Sequence, residues 1–177
     1  MKKGLYVAFE GMTGVGKSVQ SKLLFKKLKK RFPQKKVVWT IEPGGSEIAS
    51  AIRNVVQRTL FRERMDPVCE AYLYAASRAQ TLRKLVEPVL NDGGILVADR
   101  SVFTSLVFQG LGRELGMDKV LEINREAVGE IWPNAVVVLD VDPGEARGRS
   151  FDVAGDKFER MGISWYRRVR RGYLEVA

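Results

Sequence analysis

The residues best suited to chemistry lie near the start of the chain, in Gly11-Met12-Thr13-Gly14-Val15-Gly16-Lys17-Ser18. The run fits G-x-x-x-x-G-K-[ST], a loop built to hold phosphate. Its glycines let the backbone curl and turn successive N–H groups inward onto an anion. A helix beginning there adds the positive end of its dipole. In this pattern the Lys17 ammonium reaches the β- and γ-phosphates of a nucleoside triphosphate, and the Ser18 hydroxyl sits on Mg2+. The alternative is a glycine-rich turn that binds nothing. A second pair with chemical potential, Asp99-Arg100, ends the apolar run Ile95-Leu96-Val97-Ala98. Ligands collect beyond strand C-termini in open parallel sheets.

These residues need elements to hold them. Leu5 to Phe9 is short and apolar, as a buried strand should be. Ser18 to Arg31 carries Leu23, Leu24 and Leu28 at helical spacing. Lys36 to Thr40 reads as a second strand, broken by Glu42-Pro43-Gly44-Gly45. Ser46 caps a helix whose apolar stripe is Ile48, Ile52, Val55 and Val56, with Arg53 near its edge. Asp66-Pro67 opens a long helix through Tyr74 to Leu85, with Pro88 kinking it or lying near its end. Gly110 to Gly116 reads as a loop, Asp118 to Val128 as a helix and Ala135 to Val141 as a buried strand. Asp142-Pro143 opens a short helix, and the last helix spans about Ser164 to Val176. Phe151 to Gly162 lacks periodicity and reads as a mobile flap. Strands that are continuous apolar runs alternating with helices predict a mostly parallel sheet covered on both faces.

The 177 residues suit a single domain, 1–177, with no repeat or linker. No stretch is apolar enough to span a membrane, and Met1-Lys2-Lys3-Gly4 runs directly into the first strand, without a secretory pattern. The lone cysteine, Cys69, reads as a small core residue, and the whole fits a cytoplasmic enzyme. The net charge of +9 suits either nucleic-acid binding or a solvated surface that also handles polyanionic substrates. Lys26, Lys27, Lys29, Lys30 and Arg31 end the first helix, where positive charge suits the dipole. Neither this run nor Arg167 to Arg171 sits in a recognised nucleic-acid module, so nucleic acid is not expected as a primary partner.

Several segments, in order, resemble the thymidylate kinase family of P-loop nucleoside monophosphate kinases. They are Phe9-Glu10-Gly11 to Gln20, Thr40-Ile41-Glu42-Pro43-Gly44-Gly45, Leu73 to Gln80, and Asp99-Arg100-Ser101 to Phe108-Gln109-Gly110. Leu139 to Pro143, Asp156 to Glu159 and Gly172 to Glu175 continue the match, which covers nearly the whole chain. The resemblance implies a three-layer α/β/α sandwich with a short mobile LID at about 148–162. It implies transfer of the ATP γ-phosphoryl group to dTMP, giving dTDP and ADP for dTTP synthesis, with Mg2+, in a homodimer. The total absence of histidine is no objection. An acceptor phosphate already carries nucleophilic oxygens, and phosphoryl transfer needs positioning and positive charge more than a base.

The resemblance also implies roles. Arg100 holds the acceptor phosphate, unless it is tied into a salt bridge with Asp99 or another acid. Asp99 acts on Mg2+ through water. Arg53 is a second candidate for the acceptor phosphate, against a surface ion pair. Tyr74 resembles the aromatic that stacks on thymine, against plain helix core. Arg78, one turn on, can reach a base carbonyl, and Gln109 completes sugar or base contacts. Glu42 orders the acceptor-side loop, or merely stabilises a turn. Relatives usually continue into one more strand and helix, so a sheet edge is missing or the polypeptide truncated. Other departures are Thr13 for an acidic residue, Phe108 for a tyrosine, Ile41 for an arginine, and Gly14 where some relatives place a catalytic arginine. The arginine must then come from the LID, where Arg149 matches best, Arg160 is close by, and Lys157 replaces a usual arginine. The rival readings are a deoxynucleoside kinase with Glu42 as general base, a nucleotide-binding homologue of weak catalysis, and a basic nucleic-acid binder.

Overall fold

The computed structural model of the chain describes residues 4–57, 62–150, 158 and 161–176. Four strands, β1 (Leu5–Glu10), β2 (Val37–Ile41), β3 (Ile95–Asp99) and β4 (Ala135–Val138), form one sheet in the order β2-β3-β1-β4. All three pairings are parallel. The chain leaves β1 for β2 and β3 on one side and returns to the other side as β4. That reversal beside β1 makes the crevice beyond the β1 and β3 C-termini the natural ligand site.

Alternation along the strands divides the core between the two faces. Val7, Phe9 and Val97 meet Leu24, Phe25 and Leu28 of α1 (Lys17–Arg31), together with Trp39. Tyr6, Ala8, Leu96 and Ala98 point to the other face, onto Leu82, Val86, Val89, Val102 and Val128. A third, aromatic-rich cluster gathers Met12, Val15, Tyr74, Phe108, Phe158, Trp165, Tyr166 and Tyr173.

The helices follow their start signals. The Ser46 hydroxyl accepts from the Ala49 N–H at 3.2 Å at the head of α2 (Glu47–Gln57). Asp66 accepts from the Val68 and Cys69 N–H groups at 2.8 and 3.3 Å at the head of α3 (Pro67–Thr81). The long helix predicted there continues through a π-helical turn, Leu82–Val86, into α4 (Glu87–Asn91), which holds Pro88 in its first turn. Beyond β3 come α5 (Val102–Ser105) and a second π-helical stretch, Leu106–Gly112. The loop predicted from Gly110 therefore starts only at Arg113. α6 (Met117–Val128), α7 (Pro143–Ser150) and α8 (Ile163–Glu175) complete the described elements.

Three local expectations fail. Cys69 is exposed rather than core, because α3 turns Glu70, Ala71, Tyr74, Ala75, Ser77 and Arg78 inward instead. Ile48 and Val55 are exposed, and α2 buries Ala49, Val56 and Gln57. Packing on α3 sets that face: the Ser77 hydroxyl donates to the Ala49 carbonyl at 3.2 Å. β4 is shorter than predicted, and Ala135, Val136 and Val137 are exposed. Among the described residues it pairs only with β1, so an apolar run that spelled a buried strand has one described neighbour. No helix among the described residues is long and apolar enough to cross a membrane.

Candidate active site

The phosphate loop joins β1 to α1, and its glycines have geometric causes. Gly11 has φ 135°, and a Cβ there would lie 2.5 Å from the Leu139 carbonyl oxygen. Gly16, with φ 91°, turns the chain into the helix. Met12 and Val15 anchor the loop in the aromatic-rich cluster. Lys17 is 5 % exposed, and its ammonium donates to the Met12 carbonyl at 2.5 Å. Thr13 and Gly14 are partly exposed, and Ser18 is exposed at the first turn of α1.

The register pairs Phe9 with Asp99, which sets the loop beside the end of β3. The Ser18 hydroxyl donates a short hydrogen bond to Asp99 Oδ2, while Asp99 Oδ1 is buried without a partner among the described residues. The serine hydroxyl and the buried carboxylate make a hard-oxygen corner that suits Mg2+. The described residues contain no cluster of three acidic or cysteine groups that would cage a metal unaided.

Arg100 follows Asp99 with φ 79°, outside the usual range for a side-chain-bearing residue. Its guanidinium lies over the Phe108 ring at 4.9 Å. It donates to Gly11 O at 3.4 Å, Thr104 Oγ1 at 3.3 Å and Thr13 Oγ1 at 3.4 Å. Arg100 thus reaches across to the phosphate loop.

Glu42 and Arg78 form a buried pair, each 3 % exposed, with Arg78 Nε donating to Glu42 Oε2 at 2.8 Å. Arg78 also donates to Asn124 Oδ1, to Ser105 Oγ at 3.0 Å and to Ser101 O at 3.3 Å. One guanidinium thereby links β2's exit loop, α3, α6 and the segment after Arg100. Burial pushes the Glu42 carboxyl up, and the Arg78 charge pulls it back down. Arg53, half-buried on α2, donates to Pro43 O at 2.7 Å and so braces the same loop. Tyr74 is 5 % exposed, and its hydroxyl takes a long 3.5 Å contact from Gln57 Nε2. Gln109 Nε2 donates to the buried Glu70 at 2.8 Å. Glu42 Oε1 and Gln109 Oε1 are buried acceptors without partners among the described residues. Buried polar atoms are normally hydrogen-bonded, so such acceptors suit donors from a ligand.

Arg149 stands apart. It is exposed near the end of α7 and ion-paired with Glu145. Most of the LID expected at 148–162, with Lys157 and Arg160, lies outside the described residues. Of its centre only Phe158 is described. Phe158 is buried, stacked on Trp165 at 5.5 Å and edge-on to Phe108 at 5.1 Å.

A thymidylate kinase family model matches residues 9–177. The chain is 40 % identical over 178 residues to a thymidylate kinase of Pelotomaculum thermopropionicum, covering 99 % of this chain and 81 % of that protein. The chain belongs to the thymidylate kinase family. A thymidylate kinase of Bacillus thuringiensis is 41 % identical over 179 residues, covering 98 % of this chain and 84 % of its own length. The crystal structure of thymidylate kinase from Ehrlichia chaffeensis superposes with TM-score 0.79 at 27 % identity, over 99 % of this chain and 81 % of that one.

Other participants were not legible as site residues. Glu10, Thr104 and Tyr173 form a buried network beside Arg100. Glu70 holds both Gln109 and Arg113. The one available signal was chemical: an acid directly ending an apolar strand, as Glu10 does, is buried at a cost unless it has donors. Of the α8 arginines, Arg168 pairs with Glu114, Arg170 with both oxygens of Asp140 at 2.7 Å, and Arg171 with Glu175 at 3.6 Å. These contacts fit a solvated, ion-paired surface.

Proposed function

We propose that this thymidylate kinase family member transfers the γ-phosphoryl group of ATP to dTMP, giving dTDP and ADP. The observation that carries the reading is the meeting of two anion holders. The phosphate loop at the end of β1 and Arg100 at the end of β3 are brought together by strand register. Backbone N–H groups of Gly11 to Ser18 cradle the donor phosphates, and Lys17 leaves the Met12 carbonyl to reach the β- and γ-phosphates. Ser18 and Asp99, the latter through water, would hold Mg2+, and the ion would supply charge neutralisation on the phosphate oxygens. Arg100 orients the acceptor phosphate in line with the donor, and Arg53 assists on the acceptor side. The acceptor's own oxygen is the nucleophile, so no side-chain base is needed.

In the same reading Tyr74 stacks on the base and Gln109 completes the sugar or base contacts. Arg78 already commits four of its five N–H donors within the protein. It offers the remaining Nη1 N–H to a base carbonyl. Glu42 orders the acceptor loop from its Arg78 pair, and Arg149 supplies transition-state charge once the LID closes. Family membership favours this reading over a deoxynucleoside kinase, and the Arg78 clamp on Glu42 Oε2 opposes use of Glu42 as a free base. The chain works in the cytoplasm as a homodimer. Exposed Ile48, Val55, Tyr72 and Leu121 on the neighbouring helices α2, α3 and α6 support a shared face. The test is ADP release with Mg-ATP across dTMP, dUMP, dGMP, dCMP and thymidine. Preference for dTMP is expected, and no turnover with any acceptor would refute the catalytic claim.

A further inference from the structure

We propose that Glu10 and Thr104, with Tyr173 behind them, are positioning residues that aim Arg100 at the acceptor phosphate. The inference rests on the acceptor-phosphate role of Arg100 proposed above. Glu10 is the last residue of β1 and has no exposed surface. Its carboxylate accepts from the Ser101 N–H at 2.7 Å, the Ser101 hydroxyl at 2.6 Å and the Thr104 hydroxyl at 2.5 Å. All three donors follow Arg100 within one turn. On its other side, the Arg100 N–H donates to Phe9 O at 2.9 Å. The end of β1 therefore grips the chain at Arg100 and immediately after it.

That grip has a physical purpose. A non-glycine residue at φ 79° is strained and persists only where its surroundings over-determine it. The Thr104 hydroxyl has one hydrogen and two lone pairs. With the hydrogen given to Glu10, Thr104 can only accept from its other neighbours. Those are Arg100 Nη1 at 3.3 Å and the Tyr173 hydroxyl at 2.9 Å. The donor count thus fixes the direction of the whole chain: Tyr173 to Thr104 to Glu10, with Arg100 also donating to Thr104. Burial and the Glu10 charge both favour a protonated Tyr173. Tyr173 lies on α8, so the helix after the LID shares this network with the strand end.

The test is steady-state kinetics on the whole chain, varying dTMP and ATP separately. Thr104→Val removes the hydroxyl at nearly constant shape, and Thr104→Ser restores it. Thr104→Val should raise the KM for dTMP about tenfold, the order of one hydrogen bond to a charged group. The KM for ATP should stay within about twofold of wild type, and Thr104→Ser should recover the dTMP value. Tyr173→Phe should shift the dTMP KM in the same direction. Glu10→Gln should do so more strongly, and the threonine pair decides the matter if that variant does not fold. A Thr104→Val enzyme with unchanged KM for dTMP, or with equal losses for both substrates, would overturn the inference. Absence of dTMP turnover in the wild-type chain would overturn the kinase reading instead, and this inference with it.

Discussion

Arg78→Met removes the guanidinium that joins four parts of the fold while keeping much of its buried stem. The variant leaves Glu42 buried opposite an apolar group and deprives Asn124, Ser105 and Ser101 O of a donor. Glu42 and Arg78 are each only 3 % exposed, so solvent does little to screen the loss. Removing one partner of a buried ion pair costs ~3–5 kcal/mol. For a chain of this size each kcal/mol lowers Tm by about 2–4 °C, so a drop of about 10 °C is expected. The double variant Arg78→Met/Glu42→Leu also removes the stranded charge and should recover about 2 kcal/mol of the loss.

The deficit should also depend on pH. Burial already raises the Glu42 carboxyl, and Arg78 is the main force pulling it down. Without Arg78 its folded value rises further above the unfolded one. A raised acid binds its proton more tightly when folded. The relative stability is therefore fully present below the unfolded value and lost as pH rises through the folded one. The Arg78→Met deficit should accordingly be smaller near about pH 5 than near about pH 8. Urea unfolding followed by tryptophan fluorescence at both pH values measures all three quantities. A single variant within about 1 kcal/mol of wild type, a double variant no better than the single, or a deficit independent of pH would refute the reasoning.

Lys17→Ala should lower kcat by at least about 10²-fold, the scale of one lost charge-stabilising donor, without a comparable change in Tm. Wild-type turnover in that variant would remove Lys17 from its role. Asp99→Asn should raise the Mg2+ concentration giving half-maximal rate by about tenfold or more, as expected for a ligand acting through water. An unchanged Mg2+ titration would break that assignment. Phe158→Ala should cost ~3–5 kcal/mol, since a buried aromatic stacked on Trp165 is deleted. It should also shift the tryptophan emission, and a thermal melt with emission spectra checks both. Tyr72→Arg, on the exposed face of α3, should halve the mass measured by sedimentation if α2, α3 and α6 form the dimer face. An unchanged mass would exclude Tyr72 from it.

The phosphate loop, the cap residues and the α/β order were legible in the sequence because each depends on near neighbours. Glycine spacing dictates a curled backbone, Ser46 and Asp66 reach N–H groups two or three residues on, and an apolar run spells a strand. Asp99-Arg100 and the Glu42 loop stood out for the same reason, since each is a compact motif. What the sequence could not spell was the identity of partners far along the chain. Arg78 reads only as a base ligand on the Tyr74 face, and the fold adds Glu42 and Asn124 as its partners. Cys69 and Ile48 look like core until packing turns Glu70 and Ala49 inward instead. β4 reads as a buried strand, yet sheet order gives it one neighbour among the described residues. Periodicity reports that a face is apolar, and only the contacts between distant segments decide which face is covered. The same contacts determine which buried acid, Glu10 beside Thr104 and Tyr173, receives the donors it needs.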